Sequence, residues 1–258
     1  MFRALAIAWR DVFSNLNSFS FYLLLAFFFG VSGYFYWSCM SYFSLMSFQA
    51  ATNPTAQVQG LNLIDGVLSP FLSNLSVLLL LMIPILTMRS FSEEKRAGTL
   101  ELLFSYPVSD FEIVMGKFVG LFMLAMFLIV PTAIYFLLGK VVGAHFESWT
   151  LVSGYVGLLL ITSSFIALGM FVSSLTEHQA VSAGIGFSLL LLFWVVGWVA
   201  DWSSPALGRV FRELSLTEHF YDLTRGVLDT RDIGFFILFT GFFLFATLCS
   251  IEVRTWKK

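Results

Sequence analysis

Charge is what this chain has least of. Acidic and basic residues make up 12% of its 258 residues, about half the share usual in soluble globular chains. Six long apolar stretches contain no Asp, Glu, Lys or Arg at all. The scarcity excludes a soluble domain. The empty stretches argue against ion-coupled carriage and membrane-embedded catalysis, which place proton relays or ligands inside the bilayer. Two cysteines, Cys39 and Cys249, lie in apolar segments and read as small hydrophobes, so no disulfide framework is expected. The formal net charge is −2, with no basic stripe or tail, and no nucleic-acid partner follows from it. There is no GxxxxGK[ST] phosphate loop and no GxSxG elbow. His145, His178 and His219 stand near apolar edges without a partner at HExxH or i, i+4 spacing, so they read as surface histidines and not as ligands. No catalytic, cofactor-binding or metal-ligating residue is expected in this chain.

What is present is hydrocarbon. The chain is 58% hydrophobic, and a span needs about 20 apolar residues to cross about 30 Å. Stretches 19–40, 70–88, 118–139, 152–173, 180–200 and 233–251 meet that length, so the expected fold is all-α with six transmembrane helices in a single transmembrane domain, 1–258. Phenylalanine, of which the chain has 31, occurs in all six and reads as lipid-facing and interhelical packing. Ahead of the first span, Phe2, Leu5, Ala6, Trp9, Phe13 and Leu16 recur at helical spacing, with Arg3, Arg10, Ser14 and Asn17 on another face. This predicts an interfacial helix over 1–18. It lacks the cleavage pattern of a secretory signal and is expected to be retained.

Six spans put both termini on one side. That side, with the segment after span two, carries nine Lys and Arg against five on the other, which favours cytoplasmic termini. Outside, 41–69 reads as a polar linker and 140–151 as a short turn. Segment 201–232 reads as an amphipathic helix capped by Ser215 and Glu218, with Leu216, Phe220, Leu223 and Val227 on one face, lying on or dipping into the outer surface. Inside, 174–179 reads as a tight turn carrying Glu177 and His178.

Residues 89–117 form a charge-dense island between spans two and three. Glu93, Glu94, Lys95, Arg96 and Glu101 fall within nine residues, at about 2.5–3.5 kcal/mol per charge in hydrocarbon, so the segment belongs in water or in protein. Ser90 with Glu93 predicts a capping box, Ala97, Leu100, Leu103 and Phe104 an apolar stripe, Gly98 a bend or close approach, and Pro107 a stop. Ser109 with Glu112 then caps the helix entering span three. The whole reads as a charged helical elbow with an apolar edge.

This island resembles the coupling region of ABC-2-type permeases, the membrane subunits of ATP-binding-cassette exporters; Gly98, Thr99, Glu101, Leu103, Pro107, Val108 and Lys117 carry the likeness. The layout of interfacial helix, six spans and outer helical segment is similar too. Segment 219–236 resembles the gliding-motility and nitrous-oxide-related permease branch, through His219, Phe220, Arg225, Gly226, Asp229 and Asp232. The resemblance implies a multi-pass protein of the bacterial inner membrane that pairs with a second permease, identical or homologous. Each permease grips a cytoplasmic ATPase that binds the ATP and Mg, so this chain carries neither. The implied contact, over 89–112, comprises Glu93, Glu94, Arg96, Gly98, Thr99, Glu101 and Pro107, with Ala97, Leu100 and Phe104 filling a groove on the partner. Glu177 and His178 are either a minor second contact or a plain solvated turn. Arg209, Arg212, His219, Phe220, Arg225, Gly226 and Asp229 either gate an outer exit and meet a periplasmic partner, or form a salt-bridged cap over helix ends. The rival to export is a force-transmitting scaffold acting with a companion membrane subunit that carries a periplasmic domain. A secondary transporter is disfavoured, because no pair of broken spans is seen. Replacing Leu100 and Phe104 together with charged residues is expected to leave the protein inserted while abolishing co-purification of its ATPase; normal co-purification refutes the groove contact.

Overall fold

The computed structural model describes residues 2–52, 62–98, 109–141, 143–144, 146–202 and 204–255. Helix α1 (Phe2–Leu16) precedes the long α2 (Phe19–Thr52). A π-helical turn, Ile64–Leu68, leads into α3 (Ser69–Thr87), and a short α4 (Ser92–Arg96) follows. Next come α5 (Asp110–Ile129), a 3₁₀ turn at Val130–Thr132 and α6 (Ala133–Val141). The chain closes with α7 (Ser148–Leu175), α8 (Gln179–Asp201), α9 (Pro205–Leu214), α10 (Leu216–Thr224) and α11 (Thr230–Thr255). Among the described residues there is no strand, and the protein is all-α. Six helices are long and apolar enough to cross a membrane: Phe19–Thr52, Ile64–Arg96, Asp110–Val141, Ser148–Leu175, Gln179–Ala200 and Thr230–Glu252. They correspond one for one to the six predicted stretches.

Helix is the natural state of these segments, because in lipid every backbone N–H and C=O must be paired within the segment. Two prolines test that rule. Pro84 sits inside α3 without breaking it, and a turn later Thr87 Oγ1 donates to the Ile83 carbonyl at 3.0 Å. At Pro131 the α-helix does stop and tightens into the 3₁₀ turn. There Thr132 Oγ1 donates to the Ile129 carbonyl at 2.6 Å and lies 2.9 Å from the Tyr155 hydroxyl of α7, so the joint is tied to its neighbour.

α7 is the axis of the bundle. Of its apolar window 72% is buried, against 17% to 22% for α2, α8 and α11, and it packs against α3, α5, α8, α10 and α11. Around the start of α3, Tyr36, Phe71, Tyr135, Phe136 and Phe146 interlock edge-to-face or stacked. Lipid tails are as apolar as leucine, so such packing relies on close fit more than on water exclusion.

α1 lies against the first half of α5, with Ala8 and Val12 buried and Leu5, Trp9 and Phe13 left exposed. Gly116, and Gly120 one turn on, form the notch that admits it. A Cβ at Gly116 would stand 2.7 Å from the Ala4 carbonyl oxygen, and one at Gly120 would stand 3.1 Å from that of Ala8.

Two sequence expectations need correction. The linker expected at 41–69 is helical to Thr52 and again from Ile64. Its hydroxyls do not break the helix because they bond backward, Ser47 to the Phe43 carbonyl at 2.8 Å and Thr52 to that of Phe48 at 3.0 Å. Segment 201–232 holds two helices and not one, broken at Ser215. Leu216, Phe220 and Leu223 are buried against α3, α7 and α8, so α10 enters the bundle, whereas Val227 lies beyond its end and is exposed. The helix entering the third span begins at Asp110, as the Ser109–Glu112 cap predicted, and so carries Lys117 within it.

Gly116→Val is expected to lift α1 off α5 and cost about 1–3 kcal/mol, seen as a lowered unfolding midpoint in detergent. Gly184→Val, where nothing lies within 4 Å of the added carbon, is expected to leave the midpoint in place.

Candidate functional site

The elbow after α3 is built by three other helices. The chain turns at Met88–Phe91, and the predicted Ser90–Glu93 capping box does not form: Phe91 is the N-cap of α4, with no side-chain cap bond. Ser90 instead belongs to the turn, its N–H donating to the Thr87 carbonyl at 3.0 Å. The cap comes from α7. Phe91 N–H and Ser92 N–H both donate to Ser173 Oγ, at 3.1 and 3.2 Å, and the Ser173 hydroxyl donates to the Met88 carbonyl at 3.2 Å. Lys95 Nζ donates to the Ser174 carbonyl beside it. α4 is thus seated on the end of α7, satisfying backbone donors that a short helix leaves open.

Lys117 fastens the other side. Helical side chains lean toward the N-terminus of their helix, so a lysine two turns into α5 reaches back to the elbow. Its Nζ donates to the Ser90 carbonyl at 2.7 Å and to Glu94 Oε1 at 2.8 Å, and lies 3.7 Å from Asp11 Oδ2 of α1. The ammonium also stands 5.2 Å from the centre of the buried Phe91 ring, within cation–π range. Arg10 of α1 extends the cluster, 3.0 Å from Asp11 and 3.5 Å from Glu94. Only 3% of the Lys117 side chain is exposed, against 20% for Glu94 and 55% for Arg10. A cation so buried needs carbonyl and carboxylate partners to remain charged.

The elbow is therefore two-faced. Glu94 and Lys95 turn inward and bind it to α1, α5 and α7. Glu93, Arg96, Ala97 and Gly98 are exposed. Gly98 ends the helix with a φ of 68°, in the left-handed region that glycine enters without strain. The predicted contact residues Thr99, Leu100, Glu101, Phe104 and Pro107, with Leu103 and Val108, lie outside the described residues. The Ser109–Glu112 capping box is formed: Glu112 N–H donates to Ser109 Oγ at 3.3 Å and Ser109 N–H to Glu112 Oε2 at 3.4 Å. Glu177 and His178 are exposed in the turn after α7, three to five residues beyond the Ser173 and Ser174 that hold α4. They share the elbow's end of the bundle.

At the opposite end the outer residues divide by burial. Arg209 and Arg212 are exposed on α9. Arg225 reaches Asp65 at 3.1 Å and lies over the Tyr221 ring at 4.4 Å. Gly226 turns the chain with a φ of 87°, and Asp229 accepts from the Arg231 N–H at 2.9 Å. Arg231 pairs with Glu213 at 2.9 Å. Phe220 is core.

His219 corrects the sequence reading of an isolated surface histidine. Its ring is 13% exposed, stacked on Phe235 at 4.1 Å, with Nδ1 2.6 Å from Asp232 Oδ1 and Nε2 3.3 Å from the Glu213 carbonyl. Both nitrogens face acceptors. The thirteen-residue separation from Asp232 matches no local spacing rule, because the contact arises from α10 packing on α11. Among the described residues no group of His, Cys, Asp and Glu could hold a metal ion.

Six spans, an amphipathic leading helix and an elbow seated on the bundle define a multi-pass membrane subunit. Residues 5–225, from α1 to the turn closing α10, match the family described as ABC-2 family transporter protein, and the chain belongs to that family. It is accordingly a non-catalytic permease subunit of an ATP-binding-cassette transporter, embedded in the membrane and served by an ATPase on another chain. A search of curated proteins returned no match.

His219→Ala and Asp232→Ala are each expected to lower thermal stability by about 3–5 kcal/mol, since each strands a buried partner. The double variant is expected to lose clearly less than the sum. A cycle on unfolding midpoints that proves additive refutes the pairing.

Proposed function

We propose that this permease exports a substrate using strokes of a separate ATPase, and that the elbow receives those strokes. The observation that carries the reading is the division of α4 into an exposed face and a face fastened to three helices. Force applied at Glu93, Arg96, Ala97 and Gly98 passes through Ser173 and Lys95 to α7 and through Lys117 to α5 and α1. α7 packs against most of the bundle, so displacing its end biases the whole set of spans. Such a stroke needs an element with two arrangements that ligand binding selects. In this reading the elbow and both termini face the cytoplasm of a bacterial inner membrane. ATP and Mg reside on the partner, Glu177 and His178 touch it beside the elbow, and a second permease completes the pathway. We place the chain nearest the gliding-motility and nitrous-oxide-related branch, on the 219–236 residues. That same likeness favours a second reading, in which the strokes are passed to partner proteins through a companion membrane subunit.

The test separates grip from transmission without needing the cargo. Glu93→Lys with Arg96→Glu is expected to release the co-purifying ATPase. Lys117→Met is expected to keep the ATPase bound and its hydrolysis intact. In that variant, spin labels at Gln49 and Trp202 are expected to lose their ATP-dependent distance change. An ATPase that stays with the charge-reversed elbow refutes the grip, and an unaltered distance change in Lys117→Met refutes the transmission route.

A further inference from the structure

We propose that the cleft between the α1–α2 turn and the elbow end of α3 binds an anionic phospholipid. The cleft has a polar mouth formed by Ser18, Ser20 and Arg89, and apolar walls that include Phe21, Leu24 and Ile85.

Arg96 on the exposed face of α4 apart, three basic side chains at this end are consumed within the fold. Arg10 is paired with Asp11 and Glu94, Lys95 donates to the Ser174 carbonyl, and Lys117 is enclosed by Ser90, Glu94 and Asp11. Arg89 differs from all three. It is exposed, and it makes no ion pair or hydrogen bond among the described residues. The hydroxyls of Ser18 and Ser20 have no partner among those residues either. A guanidinium presents a planar fork of donors suited to two phosphate oxygens at once, and two serine hydroxyls add donors beside it.

The walls name the source of the phosphate. Phe21 and Leu24 belong to the first span and Ile85 to the second, so the cleft opens where hydrocarbon meets headgroups. A soluble phosphate has nothing to place against those walls, whereas a phospholipid has its acyl chain. A zwitterionic lipid carries a cation beside its phosphate and offsets the attraction; an anionic lipid does not. A basic side chain is attracted to an anionic membrane surface, and bidentate contact in a partly apolar cleft strengthens that attraction. The proposal is independent of how the elbow meets its motor.

The full chain, purified with whatever subunits accompany it and stripped of loose lipid by detergent exchange, is titrated with dioleoyl phosphatidylglycerol or dioleoyl phosphatidylcholine and read by native mass spectrometry. Wild type is expected to retain one phosphatidylglycerol per chain in preference to phosphatidylcholine, unaffected by inorganic phosphate. Arg89→Ala is expected to weaken retention about tenfold, the scale of one charge-assisted contact, and to fold normally, because the side chain makes no internal bond. Ile85→Trp, which keeps the arginine and fills the apolar wall, is expected to expel the lipid as well. Equal retention of both lipids by wild type, or undiminished phosphatidylglycerol on Arg89→Ala, overturns the proposal. So does competition by free phosphate. Loss of the ATPase from Arg89→Ala with lipid retention unaltered assigns the residue to the motor contact and overturns it too.

Discussion

One buried ammonium holds the working end of this protein together. Lys117 Nζ joins the elbow's turn through Ser90, its helix through Glu94 and the leading helix through Asp11. Three elements of that end meet on it. α1 can lie in the glycine notch of α5 because its polar face finds Asp11 and Arg10 partners in the same cluster. α4, only five residues long, is far too short to persist alone in water. Ser173 and Lys95 seat it on α7, and Lys117 ties its flank to α5 and α1. Buried ion pairs contribute little net stability, since desolvation offsets the attraction. Their value here is positional, because they fix where the elbow sits relative to three spans.

The opposite end follows a different logic. There α10 carries Leu216, Phe220 and Leu223 into the bundle, and the His219–Asp232 contact locks that insertion to the start of α11. Arg225 and Arg231 sit over the rim with Asp65 and Glu213, more exposed and correspondingly weaker. α7 touches both ends. It bears Ser173 against the elbow, and Ser153 Oγ donates to the Leu223 carbonyl of α10 at 2.9 Å. A single helix therefore connects the candidate grip to the α10 insertion.

The spans were legible because twenty uncharged apolar residues leave a chain few alternatives. Ser109 with Glu112 was legible for a similar reason, being a local device read from local spacing. Contacts made across the fold were not. Nothing near Ser90 announces that the elbow's cap would be Ser173, and the Ser90–Glu93 pattern pointed to the wrong partner. Lys117 was legible as part of a family pattern but not as a buried cation, since its burial depends on α1 and α4 arriving from elsewhere. His219 looked solitary for want of a partner within one turn. The 41–52 stretch looked like linker because serine and threonine lower apparent hydropathy, although in a helix their hydroxyls bond the preceding turn.

α2 has a geometric implication of its own. Thirty-four helical residues rise about 51 Å, and even at a steep tilt of about 40° they climb about 39 Å, more than the 30 Å or so of hydrocarbon. Its last turns, with Leu45 and Phe48 still uncovered on their outer side, must therefore emerge above the acyl chains. That protruding post stands beyond the reach of the lipid tails, and its apolar side chains need cover of another kind.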